Sequence, residues 1–214
     1  MPELKPVFSL PDAKDLILEG ALAAFAEFGF HGASMRDIAG RAGVSQSLVH
    51  HHFGGKEALW NFVGERISAD FLDYMAEAIS ADFPARDYIP RAMRGYLAYW
   101  REHPAAFRFN LWRLLEGPKG ERQARSTAIN TRAVPLFERG QKEGFIRKDM
   151  PAGMAMIVSG SLIQFWLHSQ TEIGDALGVT GADLPTDDDF VEQILALVGA
   201  EQTRRPQGKK RKSK

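Results

Sequence analysis

The sequence contains no cysteine. This absence excludes disulfide bonds, cysteine-ligated zinc, iron–sulfur clusters and a cysteine nucleophile, and it fits a reducing compartment. A signal-peptide pattern is also missing, because the first twelve residues contain three prolines and dispersed charges but no apolar run. We therefore expect a cytoplasmic location.

Long hydrophobic runs are scarce as well. The best candidate for a membrane span, residues 154–167, contains Ser159, Ser161 and Gln164 and is shorter than the ~20 residues that a bilayer requires. We interpret this stretch as a buried helix, and we expect no membrane partner.

Signatures of catalysis are missing too. The Gly54-Gly55-Lys56 triplet lacks the rest of a phosphate-binding loop. Metal-ligand spacing and a closely spaced nucleophile and base are absent from the sequence. We therefore expect no enzyme, no catalytic residues, no metal and no cofactor; a helical enzyme is an alternative that nothing in the sequence favours.

Charge of one sign does not predominate, since 27 Lys and Arg balance 27 Asp and Glu. The distribution is uneven, because seven basic residues and no acid follow Thr203, which leaves about −7 on the rest of the chain. Blocks of like charge are usually disordered, although such a tail can also bind phosphates non-specifically. We predict a disordered basic tail over residues 201–214 that would add weakly to the affinity for any nucleic acid that the protein binds.

Apolar residues recur at helical spacing along most of the chain, without strand patterns or repeats. The sequence predicts an all-α protein with three parts: a three-helix domain at residues 12–56, a larger helical domain at residues 57–200, and the tail. The first helix, residues 12–28, places Ile17, Ala21, Ala24, Phe25 and Phe28 on one face. The other predicted helices cover residues 34–42, 46–53, a long segment from 56, a stretch around 96–100 that ends near 104, and residues 121–144, 152–171 and 190–198, with a polar loop at 174–189.

Two short helices joined by a glycine turn indicate a helix-turn-helix. Ser34 opens the first of them, Gly43 supplies the turn, and Ser45 opens the second. In this motif the second helix enters the major groove of DNA while the first crosses the backbone. The residues expected to pack the unit inward are Ile38, Ala39, Ala42, Val44, Val49 and Phe53.

The second short helix has a small polar face. With Val49 and Phe53 turned inward, helical spacing turns Ser47 and His51 outward. Gln46 lies at the exposed N-terminal end, and Leu48 and His50 lie on the flanks. Such a face can hydrogen-bond to base edges. Leu48 has two interpretations, contact with a thymine methyl group or burial in the core.

This segment resembles the DNA-binding domain of the tetracycline-repressor (TetR) family over about residues 12–59. The matching features are Ala21/Phe25/Gly29, Ile38-Ala39, Ala42-Gly43-Val44-Ser45, His52-Phe53, and Lys56-Glu57 with Leu59. The remaining chain is similar only as a helical C-terminal domain of suitable length. The resemblance implies a homodimeric repressor that leaves a palindromic double-stranded operator when an unidentified small-molecule effector enters the C-terminal domain.

The DNA-binding residues that we predict are Ser34, Arg36, Ser45, Gln46, Ser47, Leu48, His50, His51 and Lys56. Ser34 and Ser45 cap helices whose N-terminal amides favour phosphate oxygens. His50 departs from the family, which usually has a phosphate-binding tyrosine there; histidine also donates to phosphate, most strongly when protonated. Lysine is unfavourable at a helix N-terminus, so an external phosphate is our explanation for Lys56, and a plain solvated lysine is the alternative.

The three successive histidines, His50 to His52, suggest a metal site at first sight. Successive helical residues point about 100° apart, so three in a row do not converge on one ion. We therefore predict DNA-facing roles for one or two of them and a packing role for His52.

Aromatic residues in the larger domain have two compatible interpretations, core and ligand pocket, because pockets are lined by apolar side chains with a few polar groups. The pocket residues that we predict are Tyr96, Trp100, Phe107, Asn110, Trp112, Arg113, Phe165, Trp166 and His168. The long helix that begins at Lys56 would connect this pocket to the helix-turn-helix and transmit a movement from one to the other.

The stretches at residues 154–167 and 190–198 are suited to pair with their copies in a second subunit, since Gly160 and Ser161 allow close approach. Packing within one chain is the alternative. For function, the alternative to a ligand-released repressor is a DNA-binding regulator or architectural protein without an effector.

Overall fold

A computed structural model describes residues 12–78, 83–117 and 119–200. Within these residues the secondary structure is helical, apart from one antiparallel bridge between Ile146 and Gly199. The predicted all-α class is therefore confirmed. The helices are α1 (Ala13–Gly32), α2 (Met35–Ala42), α3 (Gln46–Phe53), α4 (Lys56–Ala78), α5 (Ala85–Glu102), α6 (Pro104–Glu116), α7 (Lys119–Lys142), α8 (Ala152–His168), α9 (Gln170–Leu177) and α10 (Asp187–Val198), with a 3₁₀ turn at Gly181–Asp183.

The described residues pack into two compact units. Among the described residues, the first unit comprises residues 12–70, 103–117 and 119–122, and the second unit comprises residues 71–78, 83–102 and 123–200. The domain bounds predicted from the sequence remain a prediction. The basic tail, residues 201–214, lies outside the described residues. No helix within the described ranges is long and apolar enough to cross a membrane.

Helix α1 begins as its sequence predicts, because the Asp12 side chain accepts a hydrogen bond from the backbone N–H of Lys14. Gly29 breaks the helix with φ 68° and ψ −172°, and one more turn follows to Gly32. The predicted buried face is confirmed at Ile17, Ala21, Ala24 and Phe25. Phe28 was expected on the same face but is 42% exposed; it lies in the last turn before the break, where the Arg41 guanidinium covers its ring.

The second unit has a core formed largely by α5, α8 and α10. Tyr88, Leu97 and Ile163 are buried there, and the buried Trp166 ring stacks on Phe190 with centroids 4.3 Å apart. Ion pairs of Arg94 with Asp188 and of Arg101 with Asp187 join α5 to the first turn of α10. These exposed or half-exposed pairs each contribute little, so apolar burial is the main source of stability in this unit.

Two predicted segments differ in the structure. The helix expected at residues 152–171 is divided at Ser169, a buried residue with φ −116° and ψ 35°. The expected loop at residues 174–189 instead contains the end of α9 and the 3₁₀ turn. Helix α10 also begins earlier than predicted, because Thr186 and Asp189 form a reciprocal capping box.

Candidate nucleic-acid interface

Helices α2 and α3 are each started by a serine. The Ser34 Oγ accepts from the N–H of Asp37 at 3.1 Å, and the Ser45 Oγ accepts from the N–H of Leu48 at 3.2 Å. Between the helices, Gly43 has φ 66° and ψ 27°, a left-handed conformation that glycine adopts without a Cβ clash. The predicted caps and turn are thus confirmed, and they fix the path of the chain from α2 into α3.

A close approach between α1 and α2 positions this pair of helices. A Cβ atom at Gly20 would lie 2.9 Å from the backbone nitrogen of Ala42 and 3.0 Å from the carbonyl oxygen of Ile38. Ile38 on α2 and Val49 on α3 are fully buried. Sequence patterns do not single out Gly20, because a small residue inside a helix signals close packing only once its partner helix is known.

The polar face of α3 is open to solvent. Gln46, Ser47, His50 and His51 are all exposed, which confirms the outward direction predicted for Ser47 and His51. Leu48 is half-buried and therefore contributes both to the core and to the surface. The Ser45 and Ser47 hydroxyl oxygens lie 2.9 Å apart and hydrogen-bond to each other. The face thus presents hydroxyl, amide and imidazole groups side by side.

His50 is held at one of its two ring nitrogens. Its Nδ1 lies 2.7 Å from the carbonyl oxygen of Gly54, and the N–H of Gly54 donates to the carbonyl oxygen of His50 at 2.8 Å. Gly54 has φ 75° at the C-terminal end of α3. This pair of bonds orients the exposed imidazole at the edge of the polar face.

The three basic residues near α2 and α3 are in different surroundings. Arg36 is exposed and borders a shallow depression that also involves Gly40 and Arg41. Arg41 forms an ion pair with Glu27 at 2.7 Å, which lowers its attraction for an external anion. Lys56 donates from Nζ to the carbonyl oxygen of Ala33 at 2.9 Å and lies 4.6 Å from the centre of the Phe30 ring. An ammonium has three N–H donors, so Lys56 retains capacity for a phosphate oxygen.

The histidine run has no metal-binding geometry. The His51 and His52 rings pack edge to face with centroids 5.5 Å apart. Across the part of the chain that the structure describes, no three His, Cys, Asp or Glu side chains are grouped to hold a metal ion.

One face of α6 braces the first unit, a role that the sequence patterns did not predict. We call Phe109, Trp112, Arg113 and Glu116 the α6 brace. The Phe109 ring lies 4.5 Å from that of Trp60 and 5.9 Å from that of Phe25. The spacing of the four residues, at i, i+3, i+4 and i+7, was the available signal for a shared packing face.

The polar members of the α6 brace bind backbone atoms of α1 and α4. Trp112 Nε1 donates to the carbonyl oxygen of Ala26 at 3.2 Å, and Glu116 Oε2 accepts from the N–H of Phe30 at 2.6 Å. Arg113 is 4% exposed, donates to the carbonyl oxygen of Gly64 at 3.0 Å, and forms an ion pair with Glu121. Helix α6 therefore holds the Gly29 break and the middle of α4 in fixed positions.

The predicted pocket residues are divided between the two units. Phe107, Asn110, Trp112 and Arg113 lie on α6 in the first unit; the others belong to the second unit. The Tyr96 and Trp100 rings lie 6.2 Å apart, and both pack on Phe71. The Tyr96 hydroxyl accepts from Gln164 Nε2 at 3.0 Å, and burial raises the pKa of Tyr96 above its usual value.

The three remaining candidates lie on α8. Trp166 is buried and donates from Nε1 to Asp187 at 2.7 Å, so its position serves the core of the second unit. Phe165 and His168 are exposed, with ring centroids 5.8 Å apart. The pocket assignment remains a prediction for all nine residues.

Comparison with known families identifies two matching segments. Residues 17–61 match the family described as bacterial regulatory proteins, tetR family, and residues 87–198 match the tetracyclin repressor-like C-terminal domain. The second segment alone covers more than half of the chain.

Individual proteins extend this similarity over most of the molecule. The transcriptional repressor NicS of Pseudomonas putida is 27% identical over 194 residues, which cover 87% of this chain and 91% of NicS. The regulator RutR of Escherichia coli is 36% identical over 104 residues, 49% of each chain. Among solved structures, a TetR family transcription regulator from Marinobacter aquaeolei superposes with a TM-score of 0.72 at 18% identity, covering 88% of this chain and 96% of that one.

Proposed function

The chain belongs to the TetR family of DNA-binding transcriptional regulators, and from this premise we propose that it is a homodimeric repressor that a small-molecule effector releases from its operator. DNA is the partner of the first unit, and a second copy of the chain is the partner of the second unit. A regulator of bacterial genes acts in the cytoplasm, where its DNA target is.

The observation that carries the DNA-binding proposal is the exposed polar face of α3, which lies beside two serine-capped helix N-termini. Hydroxyl, amide and imidazole groups of this face can hydrogen-bond to base edges. Free amides at the N-termini of α2 and α3 can bind phosphate oxygens. The proposed contacts are Ser34, Arg36, Ser45, Gln46, Ser47, Leu48, His50, His51 and Lys56.

Selection of binding sites from a random DNA pool by the full chain tests this part of the proposal. We expect a palindrome with half-sites about one helical turn, ~34–36 Å, apart, because two recognition helices must enter successive major grooves. Arg36→Ala is expected to relax sequence preference at one base position, and Lys56→Ala to weaken binding to all sequences. Recovery of weak, sequence-independent binding alone would contradict the proposal.

Exposed apolar side chains on α8 and α10 support the homodimer. Met154, Ile157 and Phe165 on α8 are 48%, 52% and 48% exposed, and Leu197 on α10 is 54% exposed. The three α8 residues, together with Ser161 and His168, recur at helical spacing and form one stripe. Apolar patches of this kind mark interaction surfaces, and a twofold axis would pair the patch with itself.

Light scattering of the Ile157→Asp variant tests the homodimer. A charge in the centre of a self-complementary apolar patch faces its own copy, so we expect the variant to be monomeric at micromolar concentration while the wild-type chain is dimeric. Leu115→Asp is the matched control, because Leu115 is 76% exposed on α6 and should leave the dimer intact. Dimerisation of the Ile157→Asp variant with wild-type affinity would contradict this interface.

Effector release is proposed to act through α6. Four of the predicted pocket residues lie on this helix, and the α6 brace binds the backbone of α1 and α4. A ligand that prefers a shifted α6 would change the positions of α1 and α4 and lower operator affinity by its differential binding to the two states.

A screen of bacterial metabolites against the protein–operator complex tests effector release. We expect at least one compound to lower operator affinity by about 5- to 150-fold, and the release to be lost in Asn110→Ala, which alters a half-buried polar candidate on α6. Specific operator binding that no compound changes would instead favour a regulator without an effector.

A further inference from the structure

The protonation of His50 is constrained by its contact with Gly54. Nδ1 of His50 lies 2.7 Å from the carbonyl oxygen of Gly54. A carbonyl oxygen only accepts hydrogen bonds, so the proton of this bond is on Nδ1. In a neutral imidazole the second nitrogen, Nε2, then has a lone pair and no proton.

A DNA phosphate oxygen is also an acceptor only. A neutral His50 would present the Nε2 lone pair to it, which is repulsive, whereas an imidazolium presents an N–H and a positive charge. Rotating the ring to use the Nδ1 proton would break the bond to Gly54. Therefore the ring can bind both Gly54 and a phosphate only when both nitrogens are protonated.

We propose that His50 binds an operator phosphate through Nε2 as an imidazolium, so that operator binding takes up a proton at this residue. The inference rests on the proposed function and specifies how pH regulates the same site. Because the complex holds more protons than the free protein, operator affinity rises as pH falls. Operator affinity stops rising at pH values low enough for His50 to be protonated in the free protein as well. The proposed homodimer contains two copies of His50, so each contributes to the effect.

Other charged groups around α3 have contacts of their own. On α2, Asp37 bonds to Ser34 and Arg41 pairs with Glu27. On α4, the Lys56 ammonium binds the carbonyl oxygen of Ala33. The remaining ionisable groups of α2 and α3 and of the first turn of α4 are exposed: Arg36 on α2, His51 and His52 on α3, and Glu57 on α4. Two of these are histidines, so the experiment must separate their contribution to any pH dependence of binding from the contribution of His50.

The test uses fluorescence anisotropy with a labelled duplex that carries the site selected by the full chain. Affinity is measured at pH 6, 7 and 8 and constant ionic strength for the wild type, His50→Gln, His51→Gln, His52→Gln and His50→Tyr. We expect the wild type to lose at least about tenfold in affinity between pH 6 and pH 8, the range in which histidines ordinarily change charge. His50→Gln should be nearly independent of pH, and His52→Gln should retain the wild-type dependence.

The tyrosine variant supplies a rescue. A phenol donates its O–H throughout this pH range, so His50→Tyr should bind at pH 8 more tightly than the wild type and with little pH dependence. Two outcomes overturn the inference and leave the proposed function intact. The first is specific wild-type binding that does not depend on pH. The second is a pH dependence of affinity that disappears in His51→Gln but persists in His50→Gln. Failure to bind any specific duplex at any of these pH values overturns both.

Discussion

Gly20 illustrates how a single residue sets the geometry of the DNA-binding unit. It has ordinary helical surroundings in sequence, yet a Cβ atom there would meet the backbone of Ala42 at 2.9 Å. A contact with backbone cannot be relieved by a change of rotamer. The position of α2, and with it the start of α3, therefore depends on the absence of a Cβ atom at position 20.

We expect Gly20→Ala to lower the free energy of unfolding by about 1–3 kcal/mol, because the added methyl overpacks the α1–α2 contact. Gly40→Ala is the matched control: Gly40 lies inside α2, and a Cβ atom there would have no atom of another element within 4 Å. The control should be stabilised by about 0.5–1 kcal/mol through helix propensity. Urea denaturation measures both, and equal effects of the two substitutions would contradict the account.

Single residues also mark the limit of sequence-based prediction. The exposure of Ser47 and His51 follows from helical spacing, which is local, and it was predicted correctly. The partners of His50 and Lys56 were not predicted, because Gly54 and Ala33 accept through backbone carbonyl oxygens that have no side-chain signature. The hydrogen bond from Lys56 to the carbonyl oxygen of Ala33 also explains why a lysine is found at the N-terminus of α4. This explanation is additional to the proposed phosphate contact.

Helices with strong local start and stop signals were predicted almost to the residue. Ser34, Gly43 and Ser45 delimit α2 and α3 through hydrogen bonds that span three or four residues. The loop predicted at residues 174–189 was partly wrong. The glycines and acids of this segment suggest a loop, but Gly178 only marks the end of α9. The α6 brace was missed because Trp112 and Ala26 are 86 residues apart, a pairing that periodicity does not encode.

Substitution of Arg113 tests how much the α6 brace contributes to the stability of the fold. It is almost fully buried between α4 and the ion pair with Glu121. Removing one partner of a buried pair leaves the other charge uncompensated, so Arg113→Ala should lower the free energy of unfolding by about 3–5 kcal/mol. Arg108→Ala, an exposed arginine on the same helix, should change it by less than about 0.5 kcal/mol. Comparable urea midpoints for the two variants would show that the brace contributes nothing to stability.

The whole molecule has no net charge, although DNA is a polyanion. Seven basic residues after Thr203 offset an excess of acids elsewhere in the chain. Affinity from such a tail depends on phosphate contacts and carries no sequence information. The two contributions to DNA binding, α3 for sequence and the tail for general attraction, should therefore be separable.

Removal of residues 204–214 is expected to weaken binding to specific and scrambled duplexes by a similar factor and to reduce the salt dependence of both. The ratio of the two affinities should stay unchanged. Titrations at several salt concentrations check this. A loss confined to the specific duplex would assign sequence recognition to the tail and contradict the division of roles.

Recognition of a DNA sequence by the exposed polar face of α3 can be measured as the ratio of the affinities for the selected and scrambled duplexes. Gln46→Ala and Ser47→Ala each remove an exposed group from this face, and a lost base contact costs about 1–3 kcal/mol of discrimination. We predict that each substitution lowers the ratio by at least about fivefold, with affinity for the scrambled duplex nearly unchanged. A wild-type ratio in both variants would contradict the claim that this face recognises DNA.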